Sequence, residues 1–191
     1  MCKRTKAQTL TNYVNKSVNP QEQLFLYGML SVNNAIIEIG VSIMPYIFVY
    51  GTLMEGEKYY SIISPFVIST RPAYVKGRLC HLPYGYPMLF FPGDDVVRGE
   101  LVQVNNERAA LKSVDLLEDY YGQDNPHNLY SRRRVSVFVR KDKEKMAWVY
   151  TCPDNDIERM WSKGIYLSHG DWKYYLKTGN KETLNDKINN A

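Results

Sequence analysis

Tyr46-Ile47-Phe48-Val49-Tyr50 is an unbroken apolar run with Pro45 before it and Gly51 behind it. A run that short, closed by Pro and Gly, predicts a strand buried on both faces. Strand signals dominate from there to about residue 152. Residues 74–82 and 88–91 read as a pair joined by the turn Pro83-Tyr84-Gly85-Tyr86-Pro87. Gly93-Asp94-Asp95 reads as another turn, followed by a strand over 97–104. Val135, Val137 and Val139 alternate with Ser136, Phe138 and Arg140; beyond a charged tip at 141–145, residues 146–152 complete a hairpin.

One helix stands out among these strands. Asn105 or Asn106 caps it, Glu107 suits its positive end, and Ala110, Leu111, Val114 and Leu117 recur at helical spacing. A second helix is expected near Asp154 and a short last one over 171–177. The pattern predicts an α+β fold: a mostly antiparallel sheet closing towards a small β-barrel, with flanking helices. Residues 46–177 are expected to form that domain. Residues 1–45 read as an unassigned N-terminal extension, polar and Asn-rich at its start, with a short helix or strand over 24–30. Residues 178–191 read as a polar tail that frays.

Bulk properties exclude several classes of function. The 191 residues suffice for one domain with a core, and 45% hydrophobic against 23% charged residues is a globular mix. The 16 tyrosines suit strands and pockets, offering an apolar ring with a polar tip. A net charge of +4 is too small for a nucleic-acid partner, and Arg132-Arg133-Arg134 on a strand would alternate faces. The uncharged stretch 39–54 is broken by Gly40, Pro45 and Gly51 and falls short of the roughly 20 residues of a membrane helix, so no membrane partner is expected. Cys2, Cys80 and Cys152 are odd in number and far apart, which predicts a reducing, cytoplasmic setting. The basic start Met1–Lys6 lacks an apolar signal core, while the absence of acidic residues before Glu22 leaves a transit segment open. Asn15-Lys16-Ser17 is taken as a chance glycosylation match. His81, His127 and His169 are scattered without metal-ligand spacing, so neither a zinc nor a haem site is expected. Cys152 reads as a small buried hydrophobe.

Glu118 is out of place. It follows Val114 by four positions and Leu111 by seven, on the apolar face of the helix. It also falls in the last turn, where unpaired carbonyls make the surroundings negative. Burial and the helix end both disfavour the ionised carboxylate, and a raised pKa would let it accept and donate a proton near neutral pH. The residues alone leave a second reading open: a helix ending one residue early, with Glu118 in water or paired with Arg132, Arg133 or Arg134. Asp115 and Asp119 suit a solvated face better. Asp115 and Glu118, three positions apart on one helix, cannot flank a sugar ring as a glycosidase pair. The strand Val49-Tyr50 leads into Gly51-Thr52-Leu53, where Gly admits a ligand closely and successive N–H groups can bind an anion, or where Gly merely turns the chain.

Several segments follow one another in order. Phe48-Val49-Tyr50-Gly51-Thr52-Leu53 has Glu55-Gly56-Glu57 behind it; Val75-Lys76-Gly77-Arg78-Leu79, Tyr86-Pro87 and Val97-Arg98-Gly99-Glu100-Leu101 come next. Leu116-Leu117-Glu118, Tyr130-Ser131-Arg132, Ala147-Trp148-Val149-Tyr150 and Gly170-Asp171-Trp172 complete the series. Over about residues 46 to 177 the chain resembles the γ-glutamylcyclotransferase-like family, including its γ-glutamylamine cyclotransferase and plant avirulence-induced branches. It departs from the pattern at Asp119-Tyr120, where many relatives have Gly, and the first 45 residues have no counterpart. The resemblance implies a γ-glutamyl substrate whose α-amine attacks its own γ-carbonyl, giving 5-oxoproline and a released amine or amino acid; the attack is intramolecular, so no metal or cofactor is expected. It implies Glu118 as general acid/base and Tyr50, Gly51, Thr52 and Leu53 as a substrate-binding loop, whose amides hold the oxyanion or the α-carboxylate. Tyr130 would be a pocket wall or hydroxyl donor, and Tyr150 is assigned to the core. Two other readings stay open: a non-catalytic small-ligand module on the same fold, and a hydrolase or acyltransferase of γ-glutamyl amides.

Overall fold

The computed structural model describes residues 28–32, 35–39, 45–140 and 143–179. The basic start, the Asn15-Lys16-Ser17 triplet, residues 24–27, the tip at 141–142 and the tail beyond Gly179 lie outside them. The chain divides into two units between Met44 and Pro45. In the first, β1 (Gly28–Val32) and β2 (Ala35–Ile39) form an antiparallel hairpin, Gly28 opposite Ile39 and Val32 opposite Ala35. The sequence allows a strand over 28–30 and carries no clear signal for 35–39.

The second unit is built on β3 (Tyr46–Val49), β4 (Val67–His81), β5 (Pro87–Val104), β6 (Ser131–Arg140), β7 (Lys143–Thr151) and β8 (Ile165–Tyr166). They lie side by side in the order β5-β3-β7-β6-β4-β8, and β4 also pairs with β5, so five strands close on themselves as a barrel. Every pairing in it is antiparallel except β3 with β7, which run parallel with Ile47 opposite Trp148. The apolar run therefore sits between two strands, and Ile47, Phe48 and Val49 are all buried. This is the fold class the sequence predicts.

The long strands differ from expectation in one respect. Gly93-Asp94-Asp95 is not a turn between two strands, because β5 runs straight through it. Pairing with β4 passes from Gly77 opposite Asp95 to Arg78 opposite Phe90, so the residues between form a bulge. Turn chemistry is present locally, but the partner strand resumes pairing on both sides and keeps the strand continuous.

Among the described residues four α-helices pack beside the barrel: α1 (Tyr60–Ile63), α2 (Glu107–Leu117), α3 (Ile157–Trp161) and α4 (Trp172–Thr178). Asn106 is the N-cap of α2, its side chain accepting from the Ala109 N–H at 3.0 Å. Ala110, Leu111 and Val114 face the core. Asp171 caps α4 in the same way, through the Tyr174 N–H at 2.9 Å. Just before it, Gly170 has φ 64°, and a Cβ there would lie 1.9 Å from the Val96 carbonyl oxygen. Only glycine fits that approach. It lets the Gly170 carbonyl accept from the Arg98 N–H at 2.7 Å, seating the C-terminal segment on β5.

Candidate active site

The last turn of α2 sets the position of Glu118. The helix ends at Leu117, and Glu118 is its C-cap, with its N–H bonded to the Val114 carbonyl at 2.9 Å. The side chain therefore keeps the direction of the apolar face and lines a cavity of about 320 Å³, at the small end of the usual range for ligand sites. Burial, reinforced by the negative charge of Asp119, raises its pKa from 4.5 to about 8. No hydrogen bond or cation among the described residues offsets that rise.

The three arginines considered as partners are engaged elsewhere. Arg132 pairs with Asp115, Nη1 lying 2.7 and 2.6 Å from its two carboxylate oxygens. Arg133 pairs with Asp154 at 2.9 Å, and Arg134 lies over the Trp148 ring at 5.5 Å. Asp115 also accepts from the Tyr150 hydroxyl at 2.6 Å. The expectation of a solvated Asp115 is thus corrected: its side of α2 turns towards β6 and β7, where a cation and a phenol meet it. Asp119 is exposed, as expected, and its φ of 47° marks a left-handed bend directly after the helix.

Across the cavity runs the loop that leaves β3. Met54 N–H bonds back to the Gly51 carbonyl at 3.0 Å and Tyr59 N–H to the Thr52 carbonyl at 2.8 Å, so the loop is a folded turn. The amides of Gly51, Thr52 and Leu53 take part in no hydrogen bond among the described residues. Such amides beside a cavity are free to donate to a ligand. Gly51 is required by close approach: a Cβ would lie 2.5 Å from Cγ of Pro87, which also lines the cavity. Glu100 anchors the far end of the loop, accepting from the Glu55 N–H at 2.9 Å and from Lys173 Nζ at 3.2 Å.

Tyrosines complete the wall, with their hydroxyls turned to structural use. Tyr50 donates to the Tyr150 carbonyl at 2.7 Å and accepts from the Leu89 N–H at 3.3 Å. Tyr130 donates to the Pro87 carbonyl at 2.8 Å. Burial, together with the charge of Glu118, pushes both phenols well above their ordinary pKa and keeps them neutral. Tyr130 thus meets the cavity as a wall, its proton already committed. Glu118, Tyr50, Gly51, Thr52, Leu53 and Tyr130, singled out from distant parts of the sequence, all line this one cavity. Tyr150, assigned to the core, is buried and lines it as well. Tyr59 also lines it, with no sequence signal to mark it.

Elsewhere, Cys80 and Cys152 are buried free thiols, each pushed up to about 12 by burial. Among the described residues no three His, Cys, Asp or Glu side chains group as metal ligands. No helix among them is long and apolar enough to cross a membrane.

With barrel, helix-end glutamate and facing loop in place, the sequence pattern of the gamma-glutamyl cyclotransferase, AIG2-like family matches residues 47–174, and the chain belongs to that family. One curated relative is the gamma-L-glutamyl-butirosin B gamma-glutamyl cyclotransferase of Niallia circulans. It is 33% identical over 132 residues, covering 69% of this chain and 78% of the relative. A putative gamma-glutamylcyclotransferase of Methanocaldococcus jannaschii is 27% identical over 154 residues, covering 69% of this chain and 98% of its own length. Among solved structures, YkqA from Bacillus subtilis is similar in fold, with a TM-score of 0.50 at 22% identity. That likeness covers 73% of this chain and 44% of YkqA, so the chain spans less than half of that protein's length.

Proposed function

We propose that the protein is a γ-glutamylcyclotransferase: it closes the γ-glutamyl group of an amide into 5-oxoproline and releases the attached amine, with Glu118 as general acid/base. The observation that carries this reading is the pairing, in one cavity, of a carboxyl with a pKa of about 8 and three amide N–H groups that donate to nothing among the described residues. At pH 7 roughly one Glu118 in ten is ionised, and a substrate α-ammonium beside it raises that share by favouring the negative form. The carboxylate takes a proton from the ammonium. The freed amine nitrogen bonds to the γ-carbon, and the carbonyl oxygen becomes an oxyanion held by the amides of Gly51, Thr52 and Leu53. Collapse breaks the bond from the γ-carbon to the leaving nitrogen, which receives the proton from Glu118. Glu118, ionised again, takes the second proton from the ring nitrogen and passes it to the departing amine, which leaves as an ammonium. Because the nucleophile and the carbonyl belong to one molecule, a cavity that holds the chain folded contributes much of the rate.

The test is product analysis. Purified protein is incubated with γ-glutamyl-lysine, a panel of γ-glutamyl dipeptides and glutathione, and 5-oxoproline is measured against free glutamate. 5-Oxoproline that disappears in Glu118→Gln is the expected result. Free glutamate as the product would make the protein a hydrolase, and stabilisation by ligand without turnover would make it a binding module.

A further inference from the structure

The cavity that lodges the γ-glutamyl group has a continuation. An open depression lined by Tyr121, Asn125 and His127 adjoins it, and both are lined by Asp119 and Leu129. The shared lining gives the leaving amine of a substrate held at Glu118 a route to that opening. The depression belongs to an ordered loop. Asn128 is buried, its Oδ1 accepting from the Tyr121 N–H and its Nδ2 donating to the Gly122 carbonyl, each at 2.7 Å. Asp119 is held by its own backbone, whose carbonyl accepts from the Leu129 N–H at 3.1 Å, and by the Tyr121 hydroxyl on Oδ1 at 2.9 Å. Its Oδ2 has no hydrogen-bond partner among the described residues.

The charge balance of this passage is one-sided. Asp119 is the exposed acid on it, since Glu118 is mostly protonated at pH 7, and among the described residues no lysine or arginine lines it. The rings of Tyr59, Tyr86 and Tyr121 lie along it. Aromatic faces around an exposed carboxylate suit an ammonium group, through ion pairing and cation–π attraction, and repel an anion. We infer that Asp119 is a specificity-determining residue, and that the preferred substrates carry a second, cationic amine on the leaving group, read at the depression beyond Glu118. This rests on the cyclotransferase reading above. Lys58 lies over one wall residue, 4.8 Å from the centre of the Tyr59 ring, and it would be the reader if anionic leaving groups were preferred instead.

Three substrates of equal length separate these cases: the γ-glutamyl amides of 1,5-diaminopentane, hexylamine and 6-aminohexanoate, which end in an ammonium, a methyl and a carboxylate. The expected result is a kcat/KM for the diamine about fivefold to tenfold above the hexylamine amide, with the carboxylate amide lowest. Asp119→Asn is expected to bring the first ratio close to one. Asn removes the charge, keeps the shape and tolerates the left-handed backbone at φ 47°. Asp119→Gly, which suits that backbone without a side chain, serves as the second variant. Both substrates meet the same Glu118, so their ratio at one pH is insensitive to any change in its titration. Equal rates for all three amides, preference for the carboxylate, or a ratio unchanged in both variants would overturn the inference while leaving cyclisation intact. Release of no 5-oxoproline from any of the three would instead sink the cyclotransferase reading, and this inference with it.

Discussion

A carboxyl held at a pKa of about 8 instead of 4.5 works against the fold whenever it must ionise. The stability associated with protonated Glu118 is present in full below pH 4.5 and is lost as the pH rises through about 8. The gap corresponds to about 5 kcal/mol as a ceiling, at about 1.4 kcal/mol per pH unit. Glu118→Gln carries no such penalty, so the variant should unfold at a higher temperature than the parent protein at pH 9 and nearly the same temperature at pH 5. Its release of 5-oxoproline should fall by about a hundredfold or more, the usual worth of a general acid/base. The parent protein's kcat/KM should climb between pH 7 and 9 as the free carboxylate fills; a flat profile over that range would count against Glu118 as the base. Tyr50 makes a different kind of contribution, since its hydroxyl ties Tyr150 to Leu89. Tyr50→Phe leaves two buried backbone groups short of a partner and should cost about 1–2 kcal/mol in urea unfolding.

The end of α2 is held in register by Asp115, whose contacts with Arg132 and Tyr150 bind the helix to β6 and β7. Arg132 is mostly buried, lies 4.9 Å from the ring centres of both Tyr120 and Trp148, and already has an Nε without a partner among the described residues. Asp115→Ala strands that charge and should cost about 2–3 kcal/mol. It should also lower kcat, because Glu118 lies one helical turn further along; thermal melts and turnover measured together check both effects. This element also shows what the sequence revealed and what it hid. Ala110, Leu111 and Val114 at helical spacing place Glu118 on the buried face, since periodicity depends only on neighbours along the chain. Asp115 looked solvated by the same local rule, because its partners arrive from strands at 131–140 and 143–151. The bulge at 91–94 was hidden for a similar reason: turn residues are visible locally, the strand that pairs across them is not. Tyr130 was marked by an ordered motif, whereas the use of its hydroxyl on Pro87 depends on a bond across 43 residues.

On the scale of the whole domain, residues 170–178 are tied firmly to the barrel. Trp172 is buried with its indole N–H donating to His81 Nδ1 at 3.1 Å, and Gly170 sits against β5. Gly170→Ala puts a methyl where the Val96 carbonyl lies, in a left-handed backbone, and should lower Tm by about 5 °C or more. Calorimetry checks that expectation. The parallel contact of β3 with β7 has a further consequence. It brings together stretches of chain made far apart in time during synthesis, and Tyr50 meets Tyr150 across 100 residues. Contacts of such long reach are slow to form and come after local ones. The cavity has Tyr50 on one side of that seam and Tyr150 on the other. A partly folded chain therefore has no enclosed chamber for Glu118, so turnover during refolding should lag behind helix formation and report the moment the seam closes.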